Sequence, residues 1–185
     1  TLRDVDFVHV EDAVHVAQQG STGAEATLPH GLRLTVGYST LTIGDQHAFH
    51  LPLEKPWIAP DAHIRLNIPG QANLLGGWSL HAQIAAHWNL DVIAENTNAF
   101  VAWIDADVLG DEPVLRARRR GDRFQPQGMG GAEVRLSDLL INAKIPRPWR
   151  DYLPLLEAKG HIQWVAGVRL SESALVRPGT QRVVY

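Results

Sequence analysis

The chain has 185 residues, 45% of them hydrophobic and 20% charged, the composition of a folded protein rather than a disordered one. It has no cysteine, which excludes disulfides, zinc ribbons and thiol nucleophiles. No apolar run approaches the ~18 residues of a membrane span and no basic-then-apolar leader opens the sequence, so a cytoplasmic setting without a membrane partner is expected.

The net charge of −3 hides a step. Ahead of Pro113, 4 Lys+Arg stand against 14 Asp+Glu; from Pro113 onward, 13 stand against 6. Such a step predicts two functional halves, the second suited to a polyanion. The first residue is Thr1 rather than Met, as in a piece of a longer protein.

In chain order, Phe7, Val10, Val14 and Ala17 recur at helical spacing, with Gly20 at the C-cap, and predict a helix over roughly Phe7 to Gln19. Leu32, Leu34 and Val36, then Leu41 and Ile43, predict a β-hairpin reversing near Tyr38 and Ser39. The stretch from His47 to Pro60, with three prolines, reads as a connector. Ile64, Leu66 and Ile68 predict a strand stopped at Pro69-Gly70, and Trp78, Leu80, Ala82 and Ile84 line one face of a β-rich region. Phe100 to Ile104 is a continuous apolar run, expected to be a buried strand.

Val114 to Arg120 reads as a strand with Arg116, Arg118 and Arg120 on one face and Leu115 and Ala117 toward the core. Leu136, Leu139, Leu140 and Ala143 predict a short helix ended by Pro146; His161 to Val165 a strand after the turn at Lys159-Gly160; Gln181 to Tyr185 an edge strand. The fold class expected is α+β: strand-dominated small domains with short helices on mixed or antiparallel sheets. Residues 1–55 are expected to form a linker subdomain of helix plus hairpin, and residues 56–185 a larger region.

Several constellations compete for chemistry. Guanidinium groups match phosphate oxygens bidentately, so the string Arg116, Arg118, Arg119, Arg120 and Arg123 fits a nucleic-acid backbone; a solvated strand edge is the plainer alternative. Asp122 and Asp151 each sit beside an arginine and are read as orienting it by a salt bridge. Gly128-Met129-Gly130-Gly131 could offer backbone N–H groups to a phosphate, but no Walker Lys-Ser follows, and a plain turn is preferred. His47, His50, His81 and His87 lie on no HExxH pattern and are read as ordinary histidines. Asp105 and Asp107 are read as a strand-end turn, and Arg120-Gly121-Asp122 as a chance tripeptide. Trp149, between Pro148 and Arg150, could meet a base or ribose, with packing of its turn as the alternative.

The order of these pieces adds a resemblance. Arg118 to Gly131, Leu136-Ser137-Asp138-Leu139-Leu140, Lys144-Ile145-Pro146, Arg150-Asp151, Leu153-Pro154-Leu155-Leu156 and Trp164-Val165-Ala166-Gly167 with Arg169 resemble the C-terminal domain of bacterial tRNA(Ile)-lysidine synthetase. The match is best over residues 114–185; upstream, Gly23 to Leu32 and Tyr38 look like that family's linker.

The resemblance implies an ATP-dependent ligase that attaches lysine to the wobble cytidine of tRNA-Ile with a CAU anticodon. Its ATP and Mg would belong to an N-terminal catalytic domain bearing a Ser-Gly-Gly-x-Asp-Ser loop. Neither Gly76-Gly77 nor Gly130-Gly131 supplies that loop's serine and aspartate, so this chain is expected to be non-catalytic and to grip the tRNA body and acceptor stem. Many members carry a lysine pair before the short helix; here that position reads Glu133-Val134-Arg135. RNA contact is therefore assigned to Arg116, Arg118, Arg119, Arg120, Arg123, Lys144, Arg147 and Arg150. The partners implied are the tRNA and the enzyme's own catalytic domain, with a homodimer left open. A module that docks on that domain without touching RNA is the alternative.

Overall fold

The structure, a computed structural model, describes residues 5–45 and 51–185. Contacts divide the chain into two units: Thr1–Leu51 with Lys144–Pro148, and Pro52–Ala143 with Trp149–Tyr185.

The first unit opens with helix α1 (Phe7–Gln19), the span its apolar periodicity predicts. Gly20 follows in extended rather than left-handed conformation. Its glycine has a steric cause, since a Cβ there would meet the Val16 carbonyl oxygen at 2.3 Å. Strand β1 (Glu25–Leu28), where the resemblance implies only linker, pairs with β2 (Leu32–Val36), and β2 with β3 (Leu41–Asp45), all antiparallel. The β2–β3 hairpin closes by a Gly37 N–H to Thr40 carbonyl bond of 2.7 Å, placing Tyr38 and Ser39 at the reversal as expected. Cross-strand partners Ala26 and Leu34 are buried on the layer against which α1 packs.

The second unit is built on a five-stranded antiparallel sheet. Its early elements are β4 (His63–Arg65), β5 (Gly70–Asn73), β6 (Ser79–Ala82), α2 (Leu90–Ala94), β7 (Ile104–Asp105), α3 (Ala106–Leu109) and β8 (Val114–Arg116). Then come β9 (Arg123–Phe124), β10 (Val134–Arg135), α4 (Leu136–Asn142), β11 (Leu155–Ala158), β12 (His161–Val165), β13 (Arg169–Leu170) and β14 (Val183–Val184). The sheet order is β13-β12-β11-β8-β4, and β5–β6, β7–β14 and β9–β10 form separate ribbons. The fold is α+β and strand-dominated, as the pattern predicts.

Both faces of the sheet are covered. Leu155 opposes Val165 on one face, Leu156 opposes Trp164 on the other, and all four are buried. That explains why β11 and β12 read as nearly unbroken apolar runs. They join through Lys159 and Gly160, both at positive φ (52° and 76°), the two-residue hairpin turn that matches strand twist.

Two expectations need correction. Phe100 to Ile104 is not a strand: only Ile104–Asp105 pairs, and Phe100 and Val101 are exposed. Asn98 Oδ1 accepts the Phe100 N–H at 2.9 Å and Asn96 Nδ2 donates to the Val101 carbonyl at 2.9 Å, so asparagine-made turns displace extended structure. The strand beginning at Val114 ends at Arg116, and Leu115, Arg116 and Ala117 are all buried. Alternation fails there because neither face of β8 meets solvent.

Candidate nucleic-acid interface

The basic string leaves β8, turns at residues 117–122 and returns as β9. Arg116 does not share a solvent face with Arg118 and Arg120. It is 3% exposed, and its guanidinium is fully engaged. Nε donates to Glu157 Oε2 at 2.6 Å, Nη1 to Asp122 Oδ2 at 2.8 Å and the Ala117 carbonyl at 2.9 Å, and Nη2 to Asp122 Oδ1 at 3.0 Å. Burial by itself would weaken the charged form, but the hydrogen bonds to Asp122 and Glu157 outweigh it and push the guanidinium above its ordinary range. Arg116 is thus a fixed internal cation, removed from the displayed set.

Asp122 has the orienting role read from the sequence, though its partner is Arg116, six residues back, rather than a neighbour. The same carboxylate accepts the Arg119 N–H at 2.7 Å, the Asp122 N–H returns to the Arg119 carbonyl at 3.2 Å, and the Asp122 carbonyl accepts the Leu136 N–H at 2.9 Å. Its engagement also disposes of the Arg-Gly-Asp tripeptide as a displayed motif. Gly121 completes the turn at φ 91°, where a side chain would be strained.

The remaining arginines differ in availability. Arg118 Nε lies 2.6 Å from Asp151 Oδ1, an ion pair off the hydrogen-bond axis that leaves this shielded nitrogen without a directed partner. Arg123 pairs with Glu133. Arg119 and Arg120 are exposed and, among the described residues, their guanidinium groups have no ion pair. Lys144 and Arg147 are exposed and belong with the first unit; Arg150, half-buried, belongs with the second.

Arg135 is not among the expected contacts, yet β9–β10 pairing puts it directly opposite Arg123 beside a concavity of about 440 Å³ that Glu133 and Asp138 also line. The signal was the alternation of Arg123-Phe124 and Val134-Arg135, too short to be read alone. Glu157, 41 residues from Arg116, had no local signal at all.

The other candidates resolve individually. The Gly128 N–H already donates to Glu172 Oε2 at 2.8 Å, so this backbone donor of the Gly-rich turn is engaged within the chain. Asp105 caps α3 through the Asp107 N–H (2.9 Å) and accepts from Thr180 (2.8 Å), the strand-end role expected. His81 Nε2 shares a hydrogen bond with Ser79 Oγ at 2.9 Å. Among the described residues no three potential ligands gather as for a metal ion, and His47 and His50 lie outside them. Trp149 packs edge-on against Trp57 with centroids 5.9 Å apart, the packing alternative.

An apolar recess of about 300 Å³, lined by Leu156 and Trp164 among others, occupies the sheet face opposite Arg116. Among the described residues no helix is long and apolar enough to cross a membrane.

With this geometry in view, comparisons identify relatives. A family model described as TilS substrate C-terminal domain matches residues 114–185. The tRNA(Ile)-lysidine synthase of Dehalococcoides mccartyi is 32% identical over 184 residues, covering 99% of this chain and 37% of that protein. That of Clostridium tetani is 28% identical over 183 residues, with the same coverages of 99% and 37%. A crystal structure of a TilS C-terminal domain aligns with a TM-score of 0.55 and 28% identity, covering 66% of this chain and 92% of that one. The chain spans little more than a third of the length of these curated relatives. Residues 114–185 match the TilS substrate C-terminal domain, and over 99% of its length the chain has the tRNA(Ile)-lysidine synthases as homologues.

Proposed function

We propose that the chain holds the substrate tRNA of a lysidine-forming synthase, an isoleucine tRNA with a CAU anticodon, by its body and acceptor stem. ATP and Mg chemistry then belongs to a separate catalytic domain. The observation that carries this reading is the turn at residues 117–122, inside the matched domain, which displays Arg119 and Arg120 without ion partners among the described residues. A-form RNA hides its major groove, so a stem-gripping surface must act on phosphates, 2′-hydroxyls and shape. Arg118, Arg119, Arg120, Arg123, Lys144, Arg147 and Arg150 are the proposed contacts, and Arg135 joins them through its pairing with Arg123. Arg116 serves from inside.

The test is a titration of tRNA against salt. Roughly five phosphate contacts at about 0.7–0.9 each give a slope near −4 in log K against log salt. Salt-independent binding refutes the reading.

One observation favours a second surface for domain assembly. α1 has no buried residue, and Phe7 is 74% exposed, with Val8, Val10, Leu41 and Ile43 exposed in the same unit. Apolar surface of this kind marks an interaction site, and the synthase's catalytic domain is the proposed occupant. Deleting α1 and β1–β3 from a full-length synthase would leave tRNA affinity of the second unit in place but loosen the catalytic domain, read by limited proteolysis.

A further inference from the structure

We infer that Asp122 is a positioning residue for RNA binding: its carboxylate fixes the backbone at Arg119, so that Arg119 and Arg120 are held ready for phosphates. The inference rests on the RNA-binding reading above and adds to it a residue whose own charge opposes RNA. Three elements converge on Asp122. Arg116 from β8 gives it a two-pronged pair (2.8 and 3.0 Å), the Arg119 N–H of the turn bonds the same carboxylate (2.7 Å), and Leu136 of α4 ties down its carbonyl (2.9 Å). Glu157 from β11 anchors Arg116 from the other side at 2.6 Å.

A buried ion cluster is weak evidence for stability, because well-packed apolar groups of similar volume do as well or better. What apolar groups cannot do is accept a directed bond from the Arg119 N–H while gripping the strand beside it. The exposed arginines then start from a backbone already in one geometry, which lowers the ordering cost of each contact. Asp122's negative charge is neutralised internally by Arg116, so it does not face the RNA as a free repulsive group.

Charge and geometry make opposite predictions here. Asp122→Ala and Glu157→Gln each remove one negative charge and one carboxylate from Arg116, and alanine, unlike asparagine, also removes the oxygen that accepts the Arg119 N–H. On charge alone, both should tighten RNA binding slightly. Positioning predicts that Glu157→Gln binds as the wild type does or up to about twofold tighter. Asp122→Ala should bind about fivefold more weakly, with a salt slope shallower by about one contact's worth, roughly 0.7–0.9.

The experiment titrates the whole 185-residue chain with an unmodified CAU-anticodon tRNA-Ile transcript at several salt concentrations, with folding checked by circular dichroism. If Asp122→Ala does not fold, Arg116→Gln with Asp122→Ala takes its place. That pair leaves net charge unchanged, so weakening isolates geometry and wild-type affinity overturns the inference. Asp122→Ala binding as tightly as Glu157→Gln overturns it too, while leaving RNA binding intact. A wild-type chain without salt-dependent binding overturns the RNA reading itself.

Discussion

Arg116→Met separates the cost of a broken ion cluster from the value of an intact one. The Arg116 side chain is 4% exposed, and those of Asp122 and Glu157 are 12% and 18% exposed. Methionine fills the aliphatic volume but leaves two carboxylates shielded, close together and without their cation. Breaking a buried pair from one side costs about 3–5 kcal/mol, and the partial solvation of these carboxylates places this site near ~3 kcal/mol. At roughly 4 °C per kcal/mol for a domain of this size, Tm should fall by about 12 °C.

The neutral triple variant, Arg116→Met with Asp122→Asn and Glu157→Gln, strands no charge and should lie within about 1 kcal/mol of the wild type. Urea unfolding followed by tryptophan fluorescence suits the question, because all six tryptophans lie in the second unit. A single variant costing under ~1 kcal/mol, or a triple as damaging as the single, refutes the account.

Other predictions probe separate features. Arg119→Ala and Arg120→Ala should change stability by no more than about 0.5 kcal/mol. Both should weaken tRNA binding in a gel shift, and an equal loss of Tm would show them to be structural. Leu155→Ala, at 0% exposure in the middle of the sheet, should cost about 2–5 kcal/mol in the same urea assay. Gly167→Ala places a Cβ 2.4 Å from Phe100 Cε1 at φ 72°, so it should displace that ring from its 5.6 Å contact with Trp78, alter tryptophan emission and cost about 1–3 kcal/mol. Gly20→Ala, whose Cβ meets the Val16 carbonyl, should destabilise α1 by about 1 kcal/mol or more, read as lost helical ellipticity with tryptophan emission unchanged.

Elements whose signal is local were legible in the sequence. α1, the β2–β3 hairpin, α4 and β12 follow from periodicity and turn residues within a dozen positions. What failed was decided from afar. Arg116 looks like any exposed arginine of an alternating strand until β11 brings Glu157 beside it and the second sheet face is covered. Phe100 to Ile104 is the exception, misread although the cause is local: Asn96 and Asn98, two to five residues from the groups they bond, compete for its backbone. The basic turn was legible as a charge anomaly, but which arginines it displays depends on two carboxylate partners, Asp151 and Glu133, that only folding assigns.

The sheet order bears on how this module can be excised. The matched domain begins at Val114, the first residue of β8, whereas β8 pairs on its outer side with β4, about fifty residues earlier. A fragment started at Val114 would bare the hydrogen-bonding groups of β8 along a strand whose Leu115 is wholly buried in the intact chain. Such an edge recruits further strands, so that fragment should self-associate through β8. Starting at Pro52 keeps β4 in place and should give a monodisperse product by light scattering.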